Sequence, residues 1–183
     1  MTFARAKKPR APLDEAGLLE YAVKSLASRM RTVRDLRRLM KLRAEPGPAG
    51  EAAMDAVVAK LKELNYLSDT RFAADYTRLR KENEKLGRRR VQQDLIQKGV
   101  ASELVASTLA TAYEDVDEVA LVRAYIARKR MKQPGGADAQ KETARALGRL
   151  QRAGFSVGAI FKVLHAWGVE VEEVDLEEQR SEE

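Results

Sequence analysis

Residues 91–109 read VQQDLIQKGVASELVASTL, and residues 146–164 read ALGRLQRAGFSVGAIFKVL. Laid with Gly99 over Gly154, the two stretches match in character at six positions. Val91 and Leu95 lie eight and four residues before the first glycine, and Ala146 and Leu150 before the second. Val100, Val105 and Leu109 follow at one, six and ten residues, matched by Phe155, Ile160 and Leu164. Apolar residues four apart fall on one stripe of a helix. A glycine between two such stripes marks a left-handed helix end. The stretch therefore reads as two helices joined at a glycine, occurring twice.

A third, degraded occurrence lies upstream with Ala44 at the glycine position. Leu36 and Met40 keep the offsets before it, while Val57 and Leu61 lie seven residues late, past the segment EPGPAGE. Tyr21 and Tyr76 each precede their origin by 23 residues, and Tyr125 precedes Gly154 by 29, an expansion placed around Gln133-Pro134-Gly135-Gly136. Each repeat thus gains a leading helix that carries a tyrosine. The tyrosines are expected in the core because they recur in register, and base stacking by them is not expected. Predicted helices span 14–30, 32–43 and 50–65; 69–85, 88–98 and 102–114; and 116–132, 138–153 and 156–167. Thr32, Asp69, Ser102 and Ser156 are expected to open helices.

The fold class is all-α, as three tandem three-helix repeats stacked into an elongated, curved array. The expected organisation is a basic flexible N-terminal arm (1–13), repeat 1 (14–67), repeat 2 (68–115), repeat 3 (116–168) and an acidic C-terminal tail (169–183). Stacking of this kind predicts a radius of gyration above the ~16 Å of a compact chain of this length. Aromatic residues are only 5% and charged residues 34% of the 183, which suits thin cores beneath charged surfaces.

The net charge of +6 conceals a division. From Glu170 onward, eight acidic residues face a single Arg180, so residues 1–169 hold 33 basic against 20 acidic groups, a charge of +13. A body this basic attracts polyanions, and nucleic acid is the expected one. The cations cluster once per repeat: Arg29, Arg31, Arg34, Arg37, Arg38, Lys41 and Arg43; Arg78, Arg80, Lys81, Lys85 and Arg88-Arg89-Arg90; and Arg123, Arg128, Lys129, Arg130 and Lys132. Arg88–Arg90 open a helix, where positive charge opposes the helix dipole, and that cost points to a use such as phosphate contact. The candidate contact residues are Arg29, Arg31, Arg37, Arg38, Arg88, Arg89, Arg90, Arg128, Lys129 and Arg130. For the acidic tail, an inert solubiliser and an autoinhibitory mimic of DNA are both open.

Catalytic chemistry has few carriers. There is no cysteine, which removes disulfides, thiolate metal sites and cysteine nucleophiles and suits a reducing cytoplasm. His165, the only histidine, is expected to be a partly buried helix residue. No phosphate-cradling glycine motif is present. Asp69 with Asp75, or Glu114, Asp115, Asp117 and Glu118, are better explained by helix capping and solvation than by a magnesium nuclease. No catalytic residue, cofactor or metal is expected. Neither a signal peptide nor a run of about 20 apolar residues occurs, so no membrane partner is expected.

Several of these residues carry a resemblance to a known family. Leu67-Ser68-Asp69, Phe72-Ala73, Tyr76, Gly87, Arg90-Val91, Leu95 and Lys98-Gly99-Val100 resemble, in order and spacing, the central signature of the RecX regulatory family. Ala22, Leu26, Arg29, Arg31-Thr32 and Leu36 resemble its opening helix pair, and Leu147, Leu150, Arg152, Gly154-Phe155 and Ile160 its closing element. The resemblance covers roughly residues 16–167. Ala153 departs from it, where a basic residue is usual. It implies a modulator without enzymatic activity that docks along the groove of the RecA–DNA filament and limits filament extension, strand exchange and filament-coupled ATP hydrolysis. Single- and double-stranded DNA are the further expected partners, and a monomer is the default state. The alternative is a general DNA-binding helical protein acting without a recombinase partner.

Overall fold

The computed structural model describes residues 11–168; the acidic tail and most of the basic N-terminal arm read from the sequence lie outside them. The described residues form nine α-helices: α1 (Glu15–Ser28), α2 (Val33–Lys41), α3 (Pro48–Glu63), α4 (Asp69–Glu82), α5 (Arg88–Gln97), α6 (Ser102–Ala112), α7 (Glu118–Arg128), α8 (Ala139–Arg152) and α9 (Val157–Ala166). A single 3-10 turn, Gly136–Asp138, precedes α8. No β-strand occurs among the described residues; Leu13 and Ala44 form an isolated bridge. The fold is an all-α helical repeat.

Local chemistry sets the helix ends. Asp14, Thr32, Asp117 and Ser156 each precede a helix in extended conformation and accept a hydrogen bond from the amide three residues on. Pro48 opens α3, where its missing N–H is no loss. Two expected start signals act differently. The helix α6 begins at Ser102 itself, so that serine is inside the helix rather than before it. At α4 the cap is Ser68, whose Oγ accepts from the Arg71 amide at 3.2 Å. Asp69 serves another helix: its Oδ1 accepts from the Val33 amide at 2.9 Å, at the start of α2.

The repeat stripe is the core stripe. Leu36, Met40, Val57, Leu61, Val91, Leu95, Val100, Val105, Leu109, Ala146, Leu150, Phe155, Ile160 and Leu164 are all buried. Gly99 and Gly154 take the left-handed conformation expected of them, at φ +79° and +90°. Ala44 does not. The chain after α2 is instead held when the Leu13 amide donates to the Arg43 carbonyl at 2.7 Å.

The chain divides into two compact units, each described by itself. One comprises residues up to Ala73 together with Ile96–Leu104; the other comprises Ala74–Leu95 with the residues from Val105 onward. In the first, α1 packs on α2 and α3 around Leu18, Leu36, Met40, Val57 and Leu61. In the second, α7 and α8 pack on α9, and Tyr125 meets Phe155 edge to face with ring centroids 5.5 Å apart. His165 is exposed on α9 rather than partly buried, because Ile160, Phe161, Val163 and Leu164 take the inner face.

Candidate nucleic-acid interface

Each unit contains the same junction between helices. In the second unit, the C-terminus of α8 meets the N-terminus of α5. The Gly87 amide donates to the Ala153 carbonyl at 2.9 Å, and the Arg89 amide donates to Gly154 at 3.2 Å. In the first unit, the C-terminus of α5 meets the N-terminus of α2, and the Thr32 hydroxyl donates to the Lys98 carbonyl at 2.7 Å. In the repeat register Thr32 corresponds to Gly87, and Lys98 to Ala153. The contact is therefore one interaction made twice, once by a side chain and once by backbone.

This junction alters the reading of Arg88-Arg89-Arg90. Alone, three arginines in the first turn of α5 oppose its dipole. Here the carbonyl end of α8 abuts that turn, and a helix C-terminus favours cations. The cost inferred from the sequence is thus offset locally and by itself does not point to phosphate.

The triplet divides between two clefts of the second unit. The Arg90 Nε lies 3.1 Å from Asp94 Oδ1, and the side chain lines a cleft of about 230 Å³ with Arg80, Glu84, Arg149 and Arg152. Arg88 and Arg89 line a separate cleft of about 260 Å³ with Tyr113, Glu118 and Ser156. In the lining of the first cleft, the nearly buried Asp94 is the hub. Its Oδ2 accepts from the Tyr76 hydroxyl at 3.0 Å and faces the Arg80 Nε at 3.7 Å. Arg80 also donates to the Tyr76 oxygen at 2.7 Å and pairs with Glu84. Burial, the largest influence, pushes the Tyr76 hydroxyl upward from its ordinary pKa.

A third cleft, about 340 Å³, is formed where α7 ends and α8 passes. Arg130, Lys132, Arg145 and Arg149 line it together with one carboxylate, Glu142. Arg130 has φ +49°, a left-handed conformation that costs a non-glycine residue about 1–2 kcal/mol. Glu142 is engaged in accepting from the Gly135 amide at 3.2 Å. Among the described residues, no carboxylate lies within ion-pair distance of these four cations. Arg145, Arg149 and Arg152 were not among the sequence candidates. They lie one residue ahead of the stripe Ala146, Leu150 and Ala153, so helical periodicity carried the signal that a search for linear basic runs passed over.

The other candidates fare unevenly. Arg37 is committed to bracing α2 against α3, pairing with Glu51 at 3.0 Å and with Asp55, and the Asp55 hydrogen bond raises its pKa. Arg38 is exposed, with Asp35 at 3.6 Å. Arg31 is half-buried and donates to the Ser25 carbonyl at 3.3 Å; burial and then Arg29 lower its pKa. Arg29 and Arg128 are exposed. Lys129 lies over the Tyr125 ring at 5.8 Å.

All three recurring tyrosines carry a cation on the ring: Arg43 on Tyr21 at 5.6 Å, Arg80 on Tyr76 at 4.8 Å and Lys129 on Tyr125. Tyr125 is buried, while Tyr21 and Tyr76 are half-buried at the core edge. Rings covered in this way brace the structure and are poor platforms for bases. Several of the acidic groups weighed as a metal site are likewise occupied. Asp117 caps α7, and Glu118 accepts from both the amide (2.7 Å) and hydroxyl (2.5 Å) of Ser156. No group of three or more His, Cys, Asp or Glu that could hold a metal occurs among the described residues. None of the described helices is long and apolar enough to cross a membrane.

Residues 68–109 match the family model described as "RecX, second three-helix domain". The chain is 30% identical over 168 residues to the regulatory protein RecX of Myxococcus xanthus, covering 87% of this chain and 88% of that one. It is 30% identical over 145 residues to the namesake in Mycolicibacterium vanbaalenii, covering 77% of each. With that of Streptomyces coelicolor it shares 28% over 164 residues, 88% of this chain and 83% of the relative. In fold it resembles the crystal structure of RecX from Lactobacillus salivarius, with TM-score 0.61 and 19% identity over 85% of this chain and 97% of the other.

Proposed function

The chain belongs to the RecX family of regulatory proteins, and on that basis we propose that it binds the RecA nucleoprotein filament in the cytoplasm and restrains filament extension, ATP hydrolysis and strand exchange. It does so by binding alone, without a reaction of its own. The observation that carries the reading is the α7–α8 cleft, where Arg130, Lys132, Arg145 and Arg149 converge without a carboxylate partner among the described residues. Convergent guanidinium groups suit phosphate oxygens, which they contact in a planar, paired geometry. Contacts of this type hold a protein on nucleic acid and fix its orientation without reading sequence. That suits a regulator that must act wherever a filament forms.

Arg38 and Arg29 in the first unit, and Arg88, Arg89 and Arg128 in the second, add exposed charge to the same task. Arg37 and Arg90 contribute more to holding the helices, because carboxylates already engage them.

The alternative is a DNA-binding protein indifferent to the recombinase. The test is RecA ATP hydrolysis on single-stranded DNA, with this protein titrated in. Inhibition well below one copy per recombinase protomer supports action on the filament. Inhibition only when enough protein is present to cover the DNA supports the alternative instead.

A further inference from the structure

The cationic α7–α8 cleft lies beside the point where the described chain ends. The Gln133 side chain donates to the Trp167 carbonyl, so the last turn after α9 is fastened one residue from Lys132, which lines the cleft. Gly168 then takes φ +72°. Fifteen residues follow, and from Glu170 they hold eight carboxylates against Arg180 alone. Extended, fifteen residues reach up to roughly 50 Å, far more than is needed to cross a cleft that begins beside their anchor.

We infer that the acidic segment 170–183 docks intramolecularly in the cleft formed by Arg130, Lys132, Arg145 and Arg149, as a built-in competitor for the polyanion that the cleft takes. Three observations converge. The cleft holds four cations with no ion-pair partner among the described residues. The segment is the one strongly acidic stretch of the chain. The Gln133–Trp167 contact tethers the two, so docking is a local event at high effective concentration and needs little affinity per contact. Competition with nucleic acid rests on the function proposed above; the docking itself does not.

The absence of native cysteine makes the test clean. In the full chain, Ser181→Cys carries a single paramagnetic label, and relaxation of backbone amides is measured at low salt. The expected result is selective broadening at 130–132 and 145–149. It should vanish near 1 M salt, where the screening length falls to about 3 Å. It should also vanish when the eight carboxylates are replaced by their amides. Broadening absent, or centred elsewhere, overturns the docking. Broadening seen only between labelled and isotope-enriched molecules in a mixture assigns the contact to a second copy and overturns it equally.

A short single-stranded oligonucleotide should then displace the segment, and the amide-substituted tail should tighten its binding at least about tenfold at low salt. Undiminished broadening at saturating oligonucleotide overturns the competition. If the oligonucleotide binds neither form, the nucleic-acid reading fails while the label still decides the docking.

Discussion

Gly87 and Gly154 are packed backbone against backbone. A Cβ on Gly87 would lie 2.3 Å from the Gly154 carbonyl oxygen, and one on Gly154 would lie 2.2 Å from the Arg90 nitrogen. Neither neighbour can rotate away, since both are main chain held by the α5–α8 hydrogen bonds. Gly87→Ala should therefore destabilise by about 1–3 kcal/mol or more, the usual range for overpacking. At this chain length that lowers the melting temperature by roughly 2–4 °C per kcal/mol. Gly135→Ala is the control. Nothing lies within 4 Å of its Cβ position, so thermal denaturation should not register it.

The Asp94 hub makes a separate prediction. Its carboxylate answers Tyr76, Arg80 and Arg90 together, at 8% exposure. Removing it leaves a hydroxyl and two guanidinium groups short of their acceptor, although the arginines retain access to water. Asp94→Ala should cost about 1–2 kcal/mol. Tyr76→Phe should cost about 1 kcal/mol. In a double-mutant cycle by urea denaturation the two should be non-additive, because they share one contact. Strict additivity would show that Asp94 does not act as a hub.

Alkaline stability should depend on Tyr113. Its hydroxyl donates to the Leu86 carbonyl at 2.9 Å, and burial pushes its pKa well above the ordinary 10.0. With the folded value raised, the neutral form is favoured by folding. The corresponding stability is complete below about pH 10 and is lost as pH rises from there toward the folded value. Tyr113→Phe should be less stable at neutral pH by about 1 kcal/mol, for the lost hydrogen bond. It should also show a shallower alkaline decline than the parent. Parallel declines would mean that Tyr113 ionises alike in both states.

A buried hydroxyl offers the opposite sign. Thr77 is fully buried in α4, and its Oγ1 has no hydrogen-bond partner among the described residues. Thr77→Val keeps the shape and removes the unsatisfied group, so it should stabilise by about 1 kcal/mol in chemical denaturation. A loss of stability would show that the hydroxyl is satisfied in solution.

The core was legible because it repeats. Val91, Leu95, Val105 and Leu109 echo in Ala146, Leu150, Ile160 and Leu164, and burial follows the echo without exception. The left-handed glycines were legible for the same reason. What chain order hides is the partner across space. Asp69 begins its own helix yet also accepts from the Val33 amide at the start of α2, and Gly87 packs its backbone against Gly154, 67 residues on. Adjacency also misled at the candidate site. Arg88, Arg89 and Arg90 are neighbours in sequence, yet they enter two clefts, whereas Arg130 and Arg145 are far apart in sequence and enter one.

That last contrast predicts how binding should respond to charge. If phosphates occupy the α7–α8 cleft, Arg145→Ala with Arg149→Ala should reduce affinity for single-stranded DNA and flatten its salt dependence. Two lost contacts correspond to about 1.4 in the slope of log K against log salt, at roughly 0.7 per phosphate. Arg37→Ala should leave that slope unchanged, because Glu51 and Asp55 already neutralise the side chain, and should appear as lost stability instead. Arg88→Ala with Arg89→Ala discriminates between the two clefts. A slope change as large as that of the α8 pair would place phosphate contacts in both; no change would exclude the cleft of Arg88 and Arg89. The tail bears on the measurement, since a competing polyanion in the cleft would mask part of the slope. The comparison should therefore be made with the eight tail carboxylates present and then neutralised. The α8 pair should lose more affinity in the neutralised background, where DNA has the cleft to itself.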